Sequence, residues 1–143
     1  HREIADEKGI SQQSYALLPK ISEVDHLLRR EASARQIIRE VHPEVCFWGL
    51  AGNRPMQVNK KESAGFAERR KALIAAYPLC EQIIAEGIHW IKGKGAYPDD
   101  LLDALAAAVT GLLGGKKLET LPETPERDSH GLPMEMVYFV PGS

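Results

Sequence analysis

Three aspartates, Asp99, Asp100 and Asp103, stand at the head of a stretch otherwise built from alanine and leucine, "AYPDDLLDALAAAVTGLL", residues 96–113. Carboxylates at this spacing suit two kinds of work. They can hold a hard divalent cation or run acid–base chemistry, since Mg²⁺ and Mn²⁺ take oxygen ligands. They can equally open a helix, where an acid caps free N–H groups and gains about 0.3–1 kcal/mol from the dipole. At about 100° per residue, a helix beginning near Asp99 puts Leu101, Leu105, Val109 and Leu112 in one stripe, with Leu102 and Leu113 at its border. The three acids then share a sector of roughly 100° on the other side. Capping explains one or two of them. The third sits at i,i+4 from Asp99 and i,i+3 from Asp100, like-charge spacings that each cost roughly 0.2–0.5 kcal/mol. The acidic face continues as Ala107 and Thr110, small enough for close packing, so it is not a plain solvated face. Spacing alone leaves both readings open.

Other residues invite the same weighing. Glu40, His42 and Glu44 alternate in "REVHPE" and would share one face of a continuous strand. In the structural reading Glu40 ends a strand, His42 caps the helix that Pro43 begins, and Glu44 favours its dipole. Lys92 and Lys94 lie among glycines in "IKGKGAYP", residues 91–98, as phosphate contacts or as a solvated linker; the G-x-x-x-x-G-K-[ST] cradle is absent. The densest basic segment, "KKESAGFAERRK", residues 60–71, is diluted by Glu62 and Glu68 and reads as a helix surface. Phe47, Trp48 and Trp90 read most simply as core residues, with stacking on bases as the alternative. His26, His89 and His130 have no partner at metal-ligand spacing, and Cys46 and Cys80 form no C-x-x-C or Cys/His pattern.

The elements that must position these groups come from periodicity. "SQQSYALLPKISEVDHLLRR" from Ser11 is helical, with a break or kink expected at Pro19 and with Ile21, Val24 and Leu28 on one face of the helix beyond it. Ile37, Ile38 and Val41 suggest a short buried strand, and Pro43 starts a short helix that ends at Gly52. Helices are expected over 64–76 and 79–91, divided by Pro78, then a glycine loop and the aspartate helix, stopped by Gly114–Gly115. After the polar, proline-containing "KKLETLPETPERDSHGLP", the run "MEMVYFV" reads as a strand. Two strands make a poor sheet alone. The opening residues, His1 to Gly9, read as the tail of a helix closed by Gly9, so an upstream segment is expected.

The 143 residues, 43% hydrophobic and 27% charged with a net charge of −2, fit one soluble domain and exclude a disordered acidic tail or a strongly basic duplex binder. The longest apolar run is too short for a bilayer, and no signal-peptide order opens the chain. With two unpatterned cysteines, a reducing cytoplasmic setting is expected.

The run from Asp100 to Ala106, "DLLDALA", resembles the D-x-x-D-A-L-A helix that closes the active site of Holliday-junction resolvases in the ribonuclease H-like superfamily. Together with "SYALLPKISEVDHLLR", "REVHPEVCFWGL", "PDDLLDALAAA" and "ERDSHGLPMEMVY", from about Ser11 to Val140, the chain resembles the domain-of-unknown-function 429 family, regarded as predicted ribonuclease H-like nucleases. The resemblance implies an α/β fold, a mixed sheet flanked by helices, of which residues 1–143 form one domain, the carboxyl-terminal portion without the first strands. It implies two Mg²⁺ or Mn²⁺ ions that activate water for phosphodiester hydrolysis. The later-strand acid falls on Glu40, with Glu44 as its competitor; the helix acids fall on Asp100 and Asp103, with Asp99 alongside; His42 would orient water or phosphate. The family's opening-strand aspartate, in a V-x-G-x-D-G setting, has no counterpart here. Nucleic acid and a second copy of the chain are the partners expected. The alternative is a non-catalytic binding or interaction domain in which the acids only cap.

Overall fold

A computed structural model describes residues 11–142, so the helix tail read at His1–Gly9 lies outside the described residues. By its contacts the chain falls into two compact units, 1–38 and 39–143.

In the first unit the described residues form α1, Gln12–Arg30, and the single turn α2, Ala34–Ile37. The break expected at Pro19 does not occur: α1 runs through it. Proline there removes the bond to the Tyr15 carbonyl. Tyr15 and Pro19 are both exposed, so water is at hand for that carbonyl. Arg35 reaches back to close the corner, its guanidinium donating to the carbonyls of Leu28 and Arg29.

The second unit is built around one helix. Its elements are α3, Pro43–Leu50; α4, Ser63–Ala76; α5, Cys80–Ile91; α6, Pro98–Gly114; a 3-10 turn at 115–117; and the short strands β1, Glu119–Leu121, and β2, Met136–Tyr138. Helices α3, α4 and α5 all pack on α6. Their shared core holds Cys46, Phe47 and Leu50 from α3, Leu73 from α4, Cys80 and Ile84 from α5, and Leu102, Ala106 and Val109 from α6, closed by Phe139. The strands pair antiparallel, Thr120 opposite Val137. Glu119 faces Tyr138, whose hydroxyl donates to the Glu119 carboxylate at 2.9 Å. Helix α3 lies directly on β2 because Gly49 has no side chain: a β-carbon there would come within 2.7 Å of the Phe139 carbonyl.

The strand expected at 37–41 is replaced by helix and extended chain. Ile37 ends α2 and is 79% exposed. The extended segment beyond it takes one backbone bond from the sheet, Val137 N–H to the Glu40 carbonyl at 2.8 Å, and then Pro43 has no N–H with which to continue a ladder. Of the mixed sheet flanked by helices that the resemblance implies, the described residues show mixed helix and strand with a two-stranded antiparallel sheet. No described helix is long and apolar enough to cross a membrane.

The face of α6 is also rotated from the expected stripe. Leu102, Ala106, Val109 and Thr110 are buried, whereas Leu112 is 63% exposed. On the same wheel Asp99 and Asp103 then border the buried side and Asp100 points away. Helices α3, α4 and α5 all pack on α6, and the buried side that results joins Leu102 and Val109 to the small Ala106, Thr110 and Gly114.

Candidate functional site

The three aspartates part company at the start of α6. Asp100 turns back and accepts the backbone N–H of Tyr97, the N-cap residue, at 2.8 Å. That is the reciprocal half of a capping box, and it satisfies a donor that the helix start would otherwise leave free. Asp103 points the other way. Its Oδ2 accepts from the Lys60 ammonium at 2.8 Å, and Asp99 lies 4.0 Å from the same nitrogen. The Asp103 side chain is only 19% exposed, and its Oδ1 is buried with no hydrogen-bond partner.

Lys60 arrives from the loop between α3 and α4. That loop is pressed onto α4 at Gly65, where any β-carbon would collide with the backbone carbonyl of Asn59. Arg69, 5% exposed, ties the same loop down: its guanidinium donates to the Val58 carbonyl of the loop at 2.9 Å and to the Gly65 carbonyl of its own helix at 3.1 Å. The other edge of the guanidinium meets both oxygens of Glu44, at 2.9 and 2.8 Å, a bidentate pair that joins α3 to α4. From the solvent side Glu68 accepts the backbone N–H groups of Gln57 and Val58, which holds its carboxyl below the usual range. The ammonium of Lys60 is pushed up from its ordinary value, first by its hydrogen bond to Asp103, against some desolvation, and then by the charges of Asp103, Asp99 and Glu44.

Of the residues singled out in the sequence, Asp99 and Asp103 therefore flank one cation, Lys60, while Glu44 is engaged by Arg69. Asp100 is a cap. His42 is the N-cap of α3, its Nδ1 accepting the Glu44 N–H at 3.2 Å, which leaves the ring proton on Nε2. Glu40 lies exposed on the extended segment beside β2. Lys92 and Lys94 sit on the α5–α6 loop, the Lys94 ammonium 3.6 Å from the centre of the Trp90 ring. Trp90, expected in the core, is 68% exposed; Phe47 is buried and Trp48 packs on Tyr138.

Lys60 and Arg69 were not foreseen as site residues. Arg69 carried a signal, since it occupies the stripe Gly65–Arg69–Leu73, where an apolar residue would be the ordinary choice. Lys60 carried none, lying outside any periodic element. Cys46 and Thr110 are both buried; burial pushes the Cys46 thiol up, and the Thr110 hydroxyl partly opposes this.

Among the described residues no group of three or more His, Cys, Asp and Glu side chains is placed to hold a metal. Two carboxylates on one cation position are nonetheless a donor set that suits Mg²⁺, which keeps several waters and is held by one or two protein carboxylates together with substrate phosphate. The unpartnered Asp103 Oδ1 is a further oxygen such an ion would satisfy. A family model described as "Protein of unknown function (DUF429)" matches residues 1–127. No curated protein and no solved structure matches the chain.

Proposed function

The chain belongs to the DUF429 family, and from that premise we propose that it is a metal-dependent phosphodiester hydrolase of the ribonuclease H-like kind, acting on nucleic acid, with Asp103 and Asp99 as the carboxylates that take Mg²⁺ or Mn²⁺. The supporting observation is the state of Asp103, with one oxygen on an ammonium and the other buried without a partner. Leaving a buried acceptor unsatisfied costs about 1–3 kcal/mol, and more when it is charged. The bound ion would supply activation of water and stabilisation of the charge that develops on the phosphate. Lys60, held by Asp103 with Asp99 alongside, would then supply an ammonium for the substrate phosphate, and Arg69 fixes both Glu44 and the loop that carries Lys60. Glu40, which the resemblance gives as the later-strand acid, stands exposed on the extended segment beside β2 and is not part of the Asp99–Asp103 pair.

A second reading has its own support. Asp100, Asp103 and Glu44 already have protein partners in Tyr97, Lys60 and Arg69, as a non-catalytic binding domain would require. Thermal unfolding in EDTA and in millimolar Mn²⁺ separates the two. A site in use gains RT ln(1 + [L]/Kd), about 2.7 kcal/mol at a hundredfold excess over Kd. We expect that gain, together with Mn²⁺-dependent cleavage of labelled oligonucleotides, to vanish in Asp103→Asn and to weaken in Asp99→Asn. Asp100→Ala should lose about 0.5–1 kcal/mol of stability through its cap while keeping the Mn²⁺ gain. A wild-type protein that neither gains stability with Mn²⁺ nor cleaves would leave the binding domain as the standing reading.

A further inference from the structure

We infer that the α5–α6 connection is a docking platform for single-stranded nucleic acid, with Trp90 and Tyr97 stacking on bases and Lys92 and Lys94 meeting phosphates. This deepens the hydrolase reading, on which it rests for its place beside Asp99 and Asp103, by naming the substrate class. Trp90 is 68% exposed and Tyr97 is 70% exposed, at the two ends of one short loop. Aromatic rings of this size usually bury most of their surface, and here the loop keeps both in solvent. Gly93 and Gly95 hold left-handed backbone at φ 75° and 77°, turning the chain tightly around Lys94. The Lys94 ammonium lies over one face of the Trp90 ring, 3.6 Å from its centre, so a base would stack on the opposite face, with that charge at hand for its phosphate.

The loop runs straight into α6. Tyr97 is its N-cap and Asp99 comes two residues later, so a strand laid along the loop is led toward the carboxylates. The chemistry favours unpaired bases over a duplex. Stacking on aromatic rings needs an accessible base face, and it contributes about 1–3 kcal/mol per base whatever the sequence. Two lysines in a chain of net charge −2 supply too few phosphate contacts for tight duplex binding.

The test is titration of the full chain with oligo(dT) and oligo(U) in EDTA, following tryptophan fluorescence. Trp48, packed 4.9 Å from the Tyr138 ring, provides a steady background. Quenching is expected from Trp90 and should disappear in Trp90→Ala. Affinity, read by anisotropy of the labelled oligonucleotide, should fall about 5- to 150-fold in Trp90→Ala and in Tyr97→Ala. Lys92→Ala/Lys94→Ala should reduce the slope of log K against log salt by about 1.4, at about 0.7 per phosphate contact on a single strand. Stronger binding of one oligonucleotide identifies DNA or RNA as the source. Unchanged affinity in both aromatic variants would overturn the platform, as would quenching by phosphatidylserine vesicles and not by oligonucleotides. Binding with these dependences but no cleavage in Mn²⁺ would keep the platform and remove the hydrolase reading; cleavage that ignores Trp90 and Tyr97 would do the reverse.

Discussion

Replacing Lys60 by methionine separates the two meanings of the acidic site, because it removes a charge while keeping most of the side-chain volume. The Lys60–Asp103 pair at 2.8 Å corresponds to about 1.5 kcal/mol of attraction at the dielectric of water and about 6 kcal/mol at an effective dielectric of 20. Lys60 is 36% exposed, so solvent screening and the entropy of ordering a lysine bring the net contribution to about 1–2 kcal/mol. Without the ammonium, Asp103 Oδ2 loses this partner and joins Oδ1, which has none. In EDTA Lys60→Met should therefore melt about 3–8 °C below wild type. With Mn²⁺ the sign changes. In wild type the ion must displace the ammonium, and that same 1–2 kcal/mol no longer opposes binding in the variant, so Mn²⁺ should bind about 5- to 30-fold more tightly. Calorimetric titration of Mn²⁺ into both proteins, beside melts in EDTA and Mn²⁺, reads the two effects independently. Equal destabilisation in both media, with Mn²⁺ affinity unchanged or weaker, would refute the idea that Lys60 holds a cation position.

Two further outcomes are expected. Arg69→Met removes a buried cation from two carbonyls and from Glu44; since Glu44 is 40% exposed, the loss should be about 2–4 kcal/mol in denaturant unfolding, and Arg69→Lys should recover less than half because an ammonium cannot reproduce the bidentate fork. Glu68 has its carboxyl pKa lowered by two backbone donors, so its contribution is present above the ordinary value of 4.5 and is lost as pH falls through the folded value; the stability difference between wild type and Glu68→Gln should shrink between neutral pH and pH of about 3, and a constant difference would refute the role of those donors.

Local chemistry made much of this protein readable in its sequence. Pro43 at the first turn with His42 before it, Pro98 before the aspartates and glycines at the far ends announce α3 and α6 because caps act through neighbours a few residues away. The β-branched and aromatic run at Met136–Tyr138 announces β2 for the same reason, whereas β1, three residues with one large apolar side chain, has no pattern of its own until β2 lies beside it. Asp100 as a cap is a local fact too. Which way Asp103 points is not. Its face of α6 is decided by the three helices that pack on that element. Its cation comes from Lys60, 43 residues earlier, held in reach only because Gly65 and Arg69 pin that loop to α4. Sequence alone thus determined where acids, caps and helices lie along the chain. Tertiary packing decided which acid is buried and which charge it meets, since burial and ion pairing depend on segments that periodicity cannot bring together.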